Sequence, residues 1–251
     1  MNPFANCVII FGCVFGGALL GMALRSRLPE GHFSSDSREA VRLGMGLVAT
    51  TVALVLGLLI ASAKGFYDTQ NAEMTQAAAN IVLLDRVLVH YGPEANDARA
   101  VLRGAVAGMI ERSWQHDEQG KIRFDPNAAN GEVIWDKIQE LNPTSDNQRS
   151  LRTQALGLGI QLGQIRWLMF EQKSSALPTP LLLILVAWLT LLFISFGLFI
   201  RPNLTVVISL FASSLAVCSA IFLILEMYQP YVGMIRVSEA PLRAALAQLG
   251  Q

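Results

Sequence analysis

The chain has 251 residues, of which 53% are hydrophobic and 15% charged, with a formal net charge of zero. Soluble domains usually carry about 25% charged residues, so a mean hydropathy of +0.44 points to a membrane protein. A neutral chain offers no basic field for nucleic acid, which excludes that class of partner.

The first apolar run, residues 4–24, contains no charge and ends at Arg25 and Arg27. A bilayer core of about 30 Å is crossed by about 20 helical residues, so the run is long enough to span. It lacks a basic segment ahead of it and is expected to be a retained helix, not a cleaved leader. Gly12, Gly16, Gly17 and Gly21 lie within it, spaced as Gly12–Gly16 and Gly17–Gly21. That spacing predicts close helix packing, not a phosphate loop.

Residues 43–63 form the second charge-free run, ending at Lys64. Thr50, Leu54, Gly57, Leu58 and Ala61 share one face at three/four spacing, a candidate pore lining. No proline falls between Gly44 and His90, so this helix is expected to continue beyond the bilayer. Its 47 residues would reach about 70 Å.

Segment 64–180 holds 12 basic and 14 acidic residues and is therefore water-facing. Met74, Ala77, Ile81, Leu84, Leu88 and Tyr91 repeat with helical period. Gly92-Pro93 ends that helix and opens another, with Ala98, Leu102, Ala105 and Met109 as its stripe. Residues 115–131 read as a loop, and 132–141 as a short helix closed by Asn142-Pro143-Thr144. Thr144 or Ser145 is the expected cap of a helix over 147–175, whose stripe is Leu151, Ala155, Leu158, Leu162, Ile165 and Met169. The two long helices predict a stalk between spans two and three.

Runs 181–200 and 204–225 are again charge-free, joined by Arg201-Pro202-Asn203 and followed by Glu226. They predict a hairpin across the bilayer. The expected fold is therefore all-α: a four-span bundle with a helical domain inserted at 64–180, flanked by hairpins 1–63 and 181–226. The tail 227–251 is expected to hold a short amphipathic helix, with Ser238 as cap and Leu242, Ala245, Leu246 and Leu249 on its apolar face. With few basic residues, it is expected to pack on the stalk or a neighbouring subunit and not on lipid.

Four spans put both termini and the inserted domain on one side of the membrane. Arg25, Arg27, Arg38, Arg42 and Arg201 flank the other side, against Lys64, Arg166, Lys173, Arg236 and Arg243. Five against five leaves the side unresolved.

No catalytic constellation or cofactor motif is present, so neither enzyme activity nor a cofactor is expected. His32, His90 and His116 are isolated, and His116-Asp117-Glu118 fits a solvated turn better than a metal site. Cys7, Cys13 and Cys218 read as small apolar residues. No span carries a central charge, which disfavours a proton-driven carrier but is compatible with a passive pore. Ser62, Lys64 and Glu226, at the ends of spans two and four, are candidate pore-mouth residues.

Residues 42–70 (RLGMGLVATTVALVLGLLIASAKGFYDTQ), 83–99 (LLDRVLVHYGPEANDAR) and 233–250 (GMIRVSEAPLRAALAQLG) resemble the bacterial bestrophin-like domain family. Members usually carry an acidic-basic pair before the proline that follows the last span, where this chain reads Tyr228-Gln229-Pro230. The resemblance implies a multi-pass protein of the bacterial inner membrane. By similarity to true bestrophins it implies a homo-oligomer passing small anions such as chloride, lined by the second helix, with Ser62, Ala63 and Lys64 near the exit and the inserted domain cytoplasmic. The alternative expectation is a membrane-anchored helical sensor or scaffold without transport, dimerised through Gly17 and Gly21.

Overall fold

The computed structural model describes residues 3–27, 35–114, 130–174, 179–200, 202–231 and 233–250. His32, the His116-Asp117-Glu118 turn with most of its loop, and Arg201 lie outside the described residues. The elements are α1 (Pro3–Arg25), α2 (Ser35–Tyr91), α3 (Asn96–Trp114), α4 (Asn130–Gln139), α5 (Asp146–Ser174), α6 (Thr179–Phe199), α7 (Leu204–Met227) and α8 (Ala240–Gln248). No strand occurs among the described residues.

Four helices, α1, α2, α6 and α7, are long and apolar enough to cross a membrane. Each satisfies its backbone internally, as hydrocarbon requires. The second is a single helix of 57 residues that begins at Ser35, eight residues before the apolar run, and so takes in Arg42. It ends where Gly92 adopts φ 124°, a left-handed conformation suited to glycine. Pro93 to Ala95 then form one 3-10 turn into α3.

The chain divides into two units. A membrane unit comprises Met1–Phe66 and Ala176–Tyr228, and an inserted unit comprises Tyr67–Ser175 and Gln229–Gln251. The tail after span four therefore belongs to the inserted unit.

In the membrane unit, α1 packs against α6 and α7. Three glycines set the first of these contacts. A Cβ on Gly21 would fall on the Ile194 carbonyl, and one on Gly197 would fall on the Ala18 carbonyl. A Cβ on Gly17 would lie 3.0 Å from Thr190 Cγ2. Only hydrogens at these positions let the two backbones meet, where dispersion and Cα–H···O contacts replace the missing hydrophobic drive. Arg25 Nη1 donates to the Leu198 carbonyl at 3.2 Å, using one of the acceptors freed at the end of α6. Phe11 and Phe15 meet Phe211 of α7 edge-on, both at 5.4 Å.

In the inserted unit, all six residues of the Met74–Tyr91 stripe are buried. All of them but Ala77 join Leu102 and Val106 of α3, Ile138 of α4 and Ala155 of α5 in one core. Leu242, Ala245 and Leu249 of the tail complete it, and α8 lies on α3. Ser145 caps α5, accepting the Gln148 N–H at 3.2 Å. The Gln148 side chain in turn donates to the last carbonyl of α2, that of Tyr91, at 3.1 Å. Arg152 donates to the Ile138 and Gln139 carbonyls at the end of α4, at 3.3 and 2.7 Å. Side chains thus join the helix ends. At α8 the helix starts one residue later than the Ser238 cap expected: Glu239 is the cap residue. Ser238 Oγ instead accepts the Ala240 N–H at 3.1 Å.

An ion pair with a buried carboxylate joins two of these helices. Arg99 Nε and Nη2 donate to Asp85 Oδ1 and Oδ2 at 2.8 and 3.2 Å. The Asp85 side chain is 3% exposed. The paired carboxylate raises the Arg99 pKa above its ordinary value, mainly through the hydrogen bond. The bond joins α2 to α3 across the Gly92-Pro93 turn.

Two stability measurements follow. Gly21→Ala and Gly197→Ala are expected to lower the thermal midpoint of the detergent-solubilised protein, with about 1–3 kcal/mol of overpacking strain each. Gly12→Ala and Gly16→Ala, where a Cβ meets nothing within 4 Å, are expected to leave it unchanged or raise it. Asp85→Asn is expected to cost about 3 kcal/mol in denaturant unfolding, because it leaves the guanidinium without its counter-charge, while the double change Asp85→Leu with Arg99→Met recovers most of that loss.

Candidate functional site

The site is a helix face, not a cleft. Of the most apolar window of α2, 11% is buried, against 33%, 28% and 28% in the other three spans. What is buried lies on one side: Val52, Leu59 and Ala63 join the membrane core. The opposite side is open. Leu54 and Leu58 are 74% and 70% exposed, and Thr50, Gly57 and Ala61 are exposed with them. Leu43 and Leu47 extend the same surface. A Cβ added at Gly44, Gly46, Gly57 or Gly65 would meet nothing within 4 Å. All five candidate lining residues therefore lie together on the free face of α2.

The polar groups on this helix turn inward on its own backbone. Thr50 Oγ1 donates to the Gly46 carbonyl at 2.9 Å, and Thr51 Oγ1 to the Leu47 carbonyl at 3.0 Å. Their protons are spent there, so toward the outside Thr50 offers lone pairs.

The three candidate mouth residues separate. Lys64 is exposed and shares the open side of α2. Glu226 is 3% exposed, inside the bundle, and does not present its carboxylate at that surface. Ser62 sits about 100° around the helix from Ala61, at 3.6 residues per turn. Its Oγ is hydrogen-bonded to the Tyr228 hydroxyl, just past the end of α7, at 3.1 Å. The Tyr228 ring stacks on Phe66, with centroids 5.4 Å apart and an interplanar angle of 22°. Tyr228 and Phe66 were missed from sequence. The available signal was aromatic residues at the ends of two spans, where membrane proteins concentrate them.

The packing glycines separate as well. Gly17 and Gly21 are filled by α6 of the same chain, so they are not available to a second copy. Gly12 and Gly16 are exposed.

In the inserted unit, the tail is held by polar contacts as well as by its apolar face. Tyr231 OH donates to Gln70 Oε1 at 2.7 Å, and Tyr67 OH to the Arg236 carbonyl at 3.1 Å. Burial, reinforced by nearby Glu73, pushes the Tyr231 phenol above its ordinary pKa.

Four apolar helices, tight glycine packing and a separate helical core built from the inserted segment and the tail define a multi-pass helical membrane protein. The chain belongs to the bestrophin-like family: the Bestrophin-like domain matches residues 12–242. No curated protein and no solved structure matches it.

The division of α2 into two sides is open to measurement. In a background with Cys7, Cys13 and Cys218 replaced by serine, Leu54→Cys, Leu58→Cys and Ala61→Cys are expected to react readily with thiol reagents in detergent-solubilised monomer. Val52→Cys, Leu59→Cys and Ala63→Cys are expected to react at least tenfold more slowly, as buried thiols do. Equal rates on both sides would contradict this arrangement of α2.

Proposed function

We propose that the protein is a homo-oligomeric channel passing small anions such as chloride, with the free face of α2 in each subunit turned to a common axis. The observation that carries this reading is the exposure of Thr50, Leu54, Gly57, Leu58 and Ala61 on the span with least burial. An apolar helix left uncovered by its own chain is covered by lipid, by other copies, or by both. Glycine and alanine on that face leave room between copies. Lys64 closes the face with a positive charge and draws anions to the mouth. In this reading the inserted unit forms a stalk on the side of both termini, the membrane is the bacterial inner membrane, and no catalytic step is involved.

A second reading has one observation in its favour. The Thr50 and Thr51 protons are bound within α2, so neither hydroxyl donates to an anion within the span. That suits a membrane-anchored scaffold whose inserted unit binds a partner. Chloride efflux from liposomes separates the two. The channel reading expects efflux above empty liposomes, reduced severalfold by Lys64→Glu through loss of local attraction. Reconstituted protein that leaves efflux at the empty-liposome level, beside a working channel control, would sink it.

A further inference from the structure

We propose that Tyr228 is a positioning residue for α2: it grips the end of the span from behind and holds it back toward α7. The inference rests on the pore reading for its functional consequence, but its structural part stands on the membrane unit alone.

Three observations combine. First, α2 has little holding it: Val52, Leu59 and Ala63 are its buried residues between Val52 and Phe66. Second, Tyr228 makes two different contacts with this helix, one turn apart: the hydroxyl bond to Ser62 and the ring stack on Phe66. Third, both contacts lie away from the candidate pore face. With 100° per residue, Ser62 and Phe66 fall about 100° and 140° from Ala61. Ala63, between them in sequence and about 60° beyond Phe66 in azimuth, is fully buried. The pull is therefore directed away from the free face. A helix released from this grip moves toward its open side, and in a ring of subunits that movement narrows the mouth at Lys64. The hydroxyl bond is directional and the stack is not, so Tyr228→Phe removes one while retaining the other. An interhelical hydrogen bond of this kind in a membrane protein shifts an equilibrium about three- to tenfold.

The test uses the full-length protein, with native cysteines replaced by serine and nitroxide labels at Ala61→Cys and Leu223→Cys, both exposed. The α2–α7 distance distribution is measured in spin-diluted liposomes, beside chloride efflux of the unlabelled protein. Tyr228→Phe and Ser62→Ala are each expected to broaden the distribution and to lower efflux about three- to tenfold. The double variant is expected to add nothing to either single, because both remove the same bond. Unchanged distances overturn the proposal, as does efflux that rises on release or a double variant whose effects add. If the distances broaden but no form passes chloride, the grip stands and the pore reading falls instead.

Discussion

Hydrocarbon offers no partner for a peptide N–H or C=O. Every other feature of the membrane unit follows from that constraint. The four apolar runs are helices because a helix is the one open-ended structure that satisfies its own backbone. Once formed, they gain little from hiding apolar surface, since lipid is as apolar as leucine. What remains is fit. At Gly17, Gly21 and Gly197 the fit is extreme, with backbone against backbone between α1 and α6. At α2 it is slight, and most of the helix surface is left open.

The inserted unit obeys the opposite rule. Water makes burial favourable there, and the core recruits apolar residues from α2, α3, α4, α5 and the tail. Helix α2 therefore uses two kinds of contact along its length. Up to Phe66 it contributes three buried aliphatic residues and an aromatic stack. Beyond Tyr67 it contributes a complete stripe, the Asp85 ion pair and the Gln70 hydrogen bond to Tyr231. A single uninterrupted helix can do both because neither task requires a change in backbone, only in which side chains face a neighbour.

The spans and the stripes were legible in the sequence because both are short-range signals. A charge-free run of about 20 residues and a three/four period each fit inside one helix. The start of α2 at Ser35 was hidden, since charged residues such as Arg42 continue a helix as readily as they end an apolar run. Gly12–Gly16 and Gly17–Gly21 have the same spacing, and spacing carries no information about which side of α1 meets α6. The pairs are rotated about 140° from one another, so one straight partner cannot fill both. Asp85 and Arg99 read as ordinary surface charges, because their pairing needs the Gly92-Pro93 turn to fold α3 back along α2. The Tyr228 contacts with Ser62 and Phe66 were equally invisible: they link positions more than 160 residues apart.

That separation has a consequence for biogenesis. The α1–α6 contact, with its Arg25 to Leu198 bond, joins positions 173 residues apart. At about 5–20 residues translated per second, α1 waits in the bilayer roughly 10–35 s for its own partner to emerge from the ribosome. Throughout that interval its glycine-lined side is vacant. Two nascent chains made close together on one message can exchange first and sixth helices, producing a swapped pair with the same contacts as the native subunit.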